Sequence, residues 1–178
     1  MTLIEAMPHY DVREYHQTII NASREEVYGT MKTMDFRASR IVRTLLWIRS
    51  GGRAAKSVTL DDFWRCGFLL LSDAPNDELL LGLVGRFWMP TGSLLDISPA
   101  QFVSFEDPSY AKTAFNFQLH DHPTGTLLTT ETRVKCFRNP ERIFFLGYWT
   151  VIRPFSGLIR KEMLRQIKTT CELHNIKK

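Results

Sequence analysis

Phe155-Ser-Gly-Leu-Ile-Arg-Lys-Glu-Met-Leu-Arg-Gln-Ile167 is the segment from which the architecture follows. Phe155, Ile159, Met163 and Ile167 recur every four residues, which is helical spacing, and Arg160, Lys161, Arg165 and Lys168 fall on the other side. An amphipathic helix of this kind has to bury its stripe. The surface to receive it is upstream, in Lys112-Thr-Ala-Phe-Asn-Phe-Gln-Leu-His120. There Phe115, Phe117 and Leu119 share one face of a strand, and Asn116, Gln118 and His120 share the other. Helix on sheet is therefore the expected packing.

Working outward, Asn139 reads as an N-cap with Pro140 at the first helical position, and Pro154 is expected to kink the helix. Upstream, residues 66–72, 78–88, 101–106, 112–120 and 127–137 read as five strands. Asn76-Asp77, Pro90-Thr91-Gly92 and His122-Pro123-Thr124-Gly125 supply the turn chemistry. Residues 10–20 read as a first strand, and Ser23 with Glu26 forms a capping box for a helix through Met31. Asp35 is the next N-cap, with Ile41, Val42, Leu45, Leu46 and Ile48 at helical spacing until Gly51-Gly52. Thr59, Asp61 and Asp62 can open one further turn.

The 178 residues are 44% hydrophobic and 24% charged, an ordinary globular composition that favours one domain over residues 1–178. The net charge of +4 is mild and gathers near the C-terminus, which gives no dense basic face for nucleic acid. Cys66, Cys136 and Cys171 fit neither a disulfide framework nor a CxxC site. The longest apolar run, residues 143–152, is too short to span a bilayer, so no stable membrane insertion is expected. No secretory signal is evident, and the expectation is a cytoplasmic protein. No nucleotide, metalloprotease or hydrolase motif appears, and the sequence calls for no cofactor and no metal.

Two stretches resemble a known superfamily: Leu127-Leu-Thr-Thr-Glu-Thr-Arg-Val134 and Tyr148-Trp-Thr-Val-Ile-Arg-Pro-Phe-Ser-Gly-Leu-Ile-Arg160. With the order of elements over residues 10–173, they look like an uncharacterised bacterial branch of the START-like or SRPBCC superfamily. That group includes Bet v 1-type allergens, polyketide cyclase-like proteins and START lipid-transfer domains. The resemblance implies an α+β helix-grip fold: a curved antiparallel sheet of about six strands wrapped around a long C-terminal helix, with two short helices after the first strand. It also implies an apolar cavity between sheet and helix.

Candidate lining residues are Leu81, Leu83, Phe87, Phe115, Phe117, Leu119, Ile159, Met163 and Ile167, which would equally fill a solid core. Glu131 and Arg133 share a strand face and, with Arg86, are the candidates for acid–base work. If that face points outward, Thr130 and Thr132 become the polar tips offered to a ligand. A one-residue slip in register exchanges the two sets. His120-Asp121-His122 has no third ligand nearby and fits a strand end better than a metal site. Cys136 shows no adjacent base that would make it a nucleophile.

The leading expectation is a binding module for an apolar or amphipathic small molecule, such as a lipid or an aromatic metabolite. The alternatives are a cyclase- or aromatase-like enzyme using Glu131, Arg133, Arg86 and Thr132, or a co-chaperone-like interaction domain.

Overall fold

Val12–Ile20 (β1), Leu69–Ala74 (β2), Glu78–Gly85 (β3), Ala111–His122 (β4) and Gly125–Cys136 (β5) form one antiparallel sheet in the order β1-β5-β4-β3-β2. The helices are α1 (Leu3–Ala6), α2 (Arg24–Thr33), α3 (Arg40–Arg49), α4 (Pro99–Ser104) and α5 (Glu141–Ile176). This computed structural model describes residues 1–49, 59–60, 67–86, 88–89 and 93–176, and the side chains among these except at 45–49 and 175–176. Phe87, Asp61, Asp62, Trp64, Cys66, Gly51-Gly52 and Pro90-Thr91-Gly92 lie outside the described residues, as do the side chains of Leu45, Leu46, Trp47 and Ile48.

The architecture is the expected α+β arrangement, a curved open antiparallel sheet packed on a long C-terminal helix. One face of the sheet carries Ile20, Leu79, Leu81, Phe115, Phe117, Leu119 and Leu128 against Met163, Leu164, Ile167 and Cys171 of α5. Val27, Tyr28 and Met31 of α2 close the same end. The opposite face is also covered. Leu80, Val84 and Ala114 pack there against Leu3, Ala6 and Met7 at the N-terminus and Phe102 of α4.

The strand expected at residues 101–106 is instead helical, so the described sheet has five strands. The hydroxyl of Ser98 accepts from the Gln101 backbone N–H, and the Gln101 side chain accepts from Ser98 N–H in return. Pro99 sits in the first turn, where a missing N–H costs nothing. The apolar alternation of Phe102 and Val103 resembles a strand, but this local capping box outweighs it.

The Ser23–Glu26 box is formed as expected. Asp35 caps only a short 3-10 turn, and α3 starts after Ser39, whose hydroxyl accepts from the N–H groups of Ile41 and Val42. Helix α5 begins one residue later than expected, with the Pro140 carbonyl accepting from Ile143 and Phe144, and continues through Pro154.

Candidate functional site beneath α5

Four-residue steps advance about 400° around a helix, so a strict every-fourth pattern drifts by about 40° per step. Phe155 has consequently rotated out to 47% exposure, Ile159 is half-buried, and Met163 is at 2%. The residue that shares the sheet-facing stripe of Met163, Leu164 and Ile167 is Arg160, which precedes them at the i, i+3, i+4, i+7 spacing. This corrects the expectation that Arg160 joins Lys161 and Arg165 on the outer side. Its Cζ lies 4.0 Å above the centroid of the Phe115 ring and 5.9 Å from that of Phe117.

Among the described residues the buried apolar side chains on this face form two clusters. Toward the start of α5, Phe145 packs with Ala111, Val134 and Cys136, bordered by Val12, Trp88, Tyr148 and Trp149. Toward its end lies the cluster around Met163 and Ile167. Polar groups mark the interval between them. The register aligns Glu14 (β1), Thr132 (β5), Phe115 (β4) and Leu81 (β3) as one row across four strands. Glu14 is 8% exposed, with Oε1 3.0 Å from His16 Nε2, and the Ser156 hydroxyl donates to its Oε2 at 2.8 Å. Gly157 leaves room for the Glu14 carboxylate in this position, because a Cβ there would stand 2.6 Å from its Oε1.

Two threonines on this face are satisfied locally. Thr113 donates to the Arg133 carbonyl at 2.9 Å and Thr130 to the Asn116 carbonyl at 2.7 Å. Among the described residues the Thr132 hydroxyl has no partner. Leu81, Leu83, Phe115, Phe117, Leu119, Thr130 and Thr132 all stand on the α5 face. Leu81, Phe115, Phe117, Leu119, Met163 and Ile167 belong to one buried cluster, Ile159 packs against it, and Leu81 and Phe115 stand in the same row as Thr132 and Glu14.

Glu131 and Arg133 point the other way. Register pairs Glu131 with Asn116 and Arg133 with Ala114, which places both on the face opposite α5. Neither is solvated: each is 9% exposed. Arg13 grips Glu131 with Nε and Nη2 at 2.9 and 2.8 Å, and Arg133 Nε donates to it at 2.7 Å. Burial by itself would raise the Glu131 carboxyl, but the hydrogen bonds from the two arginines outweigh it and hold it below the usual range. Arg133 also donates to the Met7 carbonyl at 2.8 Å and lies over the Tyr10 ring, which ties down the N-terminal segment. Arg86 engages the Ser109 carbonyl and the Tyr110 ring instead. Glu131, Arg133 and Arg86, the candidates of the enzyme alternative, are therefore not assembled under α5. Two of them form a clamp on the far face.

The remaining candidates are engaged elsewhere. Asp121 pairs with Arg24 at 3.5 Å, and His122 Nδ1 is 3.0 Å from Thr124 Oγ1. Burial, with Asp11 nearby, pushes the Cys136 thiol up to about 12, the opposite of an activated nucleophile. The sequence offered no site role for Glu14, His16 or Ser156, and placed Arg160 on the outer side. Glu-x-His at alternate strand positions was a visible signal, but Ser156 lies 142 positions away from Glu14 and only the fold brings them together.

No known protein family's model matches the chain, and no curated protein matches it. Solved structures similar to it include a protein from Mesorhizobium loti (14% identity over 89% of this chain and 98% of that one, TM-score 0.41). Another is from Chromobacterium violaceum (12% identity, 90% and 97%, TM-score 0.41). A third, from Staphylococcus aureus and described as of unknown function, gives 13% identity, 90% and 96%, with a TM-score of 0.42.

Proposed function

We propose that the chain binds a small amphipathic molecule in the interval beneath α5, between the two halves of the core. The observation that carries this reading is the interruption itself. Protein interiors are close-packed, and aliphatic side chains filling this stretch would be the more stable solution. Here the row across the sheet offers an aromatic floor, a carboxylate, an unpartnered hydroxyl and, from α5, a guanidinium. Apolar walls with a few convergent polar groups are the usual make-up of a small-molecule site. Phe115, Leu81, Leu83 and Ile159 would hold the apolar body, and Thr132 would meet a polar tip.

The test uses N-phenyl-1-naphthylamine, a neutral apolar fluorophore, with native mass spectrometry of the protein as purified. Saturable fluorescence enhancement is expected at one molecule per chain, weakened at least tenfold by Thr132→Phe, which fills the interval. An absence of saturable binding together with a bare mass would remove the proposal.

A second reading is supported by the Glu14–His16 contact at 3.0 Å, since a carboxylate beside an imidazole can move protons on a bound molecule. It requires turnover of a ligand that His16→Gln binds equally well but does not convert.

A further inference from the structure

The Arg160 guanidinium has an unusual position for a cation. It lies on the face of Phe115, itself almost fully buried, with Phe117 close by. The ring faces supply a cation–π attraction but accept none of its N–H groups in plane. Among the described residues no hydrogen bond or ion pair engages those groups. The nearby acid is Glu14, whose two oxygens are taken by His16 and Ser156. Burial lowers the Arg160 pKa to about 10 against the opposing pull of Glu14, so the group is still charged at neutral pH. Arg160 is half-buried, so its N–H groups stay open on one side and can pair with an incoming anion.

We propose that Arg160 anchors a carboxylate, and that the ligand is a monoanionic amphiphile, an alkyl or aryl monocarboxylic acid. A carboxylate accepts two parallel N–H bonds from a guanidinium, a geometry that an alcohol or an ester cannot reproduce. A single charge is the right number. The neighbouring basic residues of α5 do not contribute: Lys161 is exposed, and Arg165 is exposed and paired with Glu162. Among the described residues of α5, no second cation would balance a dianionic phosphate facing Glu14. The tail would lie over Phe115 toward Leu83 and Ile159. This inference rests on the binding reading above and names the class of molecule that the same site takes.

The experiment measures displacement of N-phenyl-1-naphthylamine by dodecanoate and by 1-dodecanol at matched ionic strength, on the wild type, Arg160→Met and Arg160→Lys. The wild type is expected to prefer the acid by tenfold or more. Arg160→Met should abolish that preference while binding dodecanol at least as well, and Arg160→Lys should retain part of it. Equal affinity of the wild type for acid and alcohol overturns the anchor and leaves the binding reading standing. A preference that survives in Arg160→Met places the anion elsewhere and overturns the assignment. Failure of dodecanoate to displace the probe overturns the proposal. If the probe itself does not bind, both readings fall. Circular dichroism checks that each variant is folded, and Arg160→Gln replaces the methionine variant if that one is not.

Discussion

Glu162 shows how one side chain on α5 links stability to acidity. Hydrogen bonds from Arg165 outweigh the effect of burial and, with Ser39 and Gln166, bring its carboxyl down to about 2. Because the folded value lies below the ordinary 4.5, the stabilisation is fully present above about pH 4.5 and is lost as the pH falls toward 2. Arg165 is 65% exposed, so solvent screening keeps the pair's contribution small. Glu162→Gln should therefore melt below the wild type at pH 7, with the gap closing near pH 2. Thermal denaturation at the two pH values checks this, and a gap of the same size at both would refute it. At this scale the sequence was legible where chemistry is local. Phe115 and Phe117 stand on the face that their alternation assigns. Arg160 was misread because residue type was taken to imply exposure, when the helical angle sets it.

Helix α5 has a second apolar surface that the sheet does not cover. Ile143, Phe144, Val151, Phe155 and Leu158 remain exposed along its first half, with Phe144 at 61% and Val151 at 64%. These side chains lose little water on folding, so Phe144→Ser and Val151→Ser should each change stability by less than about 0.5 kcal/mol. The urea midpoint is the measurement, and a loss of 2 kcal/mol would show that this face is packed in solution. The capping box of α2 was legible because its two partners are three residues apart, whereas that of α4 was missed and residues 101–106 were read as a strand from the apolar residues around Phe102. Element boundaries followed less closely, as at α5, because hydrogen bonding at a helix end is settled by the neighbouring chain.

For the whole molecule, the clamp of Arg13, Glu131 and Arg133 joins three parts of the chain: β1, β5 and the N-terminal segment through Met7 and Tyr10. Removing the anion leaves two guanidinium groups without their partner, one of them buried. Glu131→Ala is expected to cost about 3–5 kcal/mol. It should also release residues 1–10, read as faster hydrogen exchange at the amides of α1. Loss of stability without faster exchange there would show that the clamp does not hold the N-terminus. The same substitution should leave the relative affinities for dodecanoate and dodecanol unchanged, because Glu131 lies across the sheet from Arg160.

The chain's pattern of apolar residues, by itself, determined that strands pack against a long terminal helix and which faces of the central strands and the late helix are apolar. Periodicity is a local property, and the backbone repeats of two and 3.6 convert it directly into faces. Only the tertiary structure decided which polar groups meet. The pairing of β1 with β5 aligned Glu14 with Thr132, the rotation of α5 set Arg160 over Phe115, and the register turned Glu131 away. The first joins strands more than a hundred residues apart and the third turns on a one-residue choice of register, neither of which leaves a trace in local spacing; helical spacing puts Arg160 on the buried stripe, but only packing sets it over Phe115.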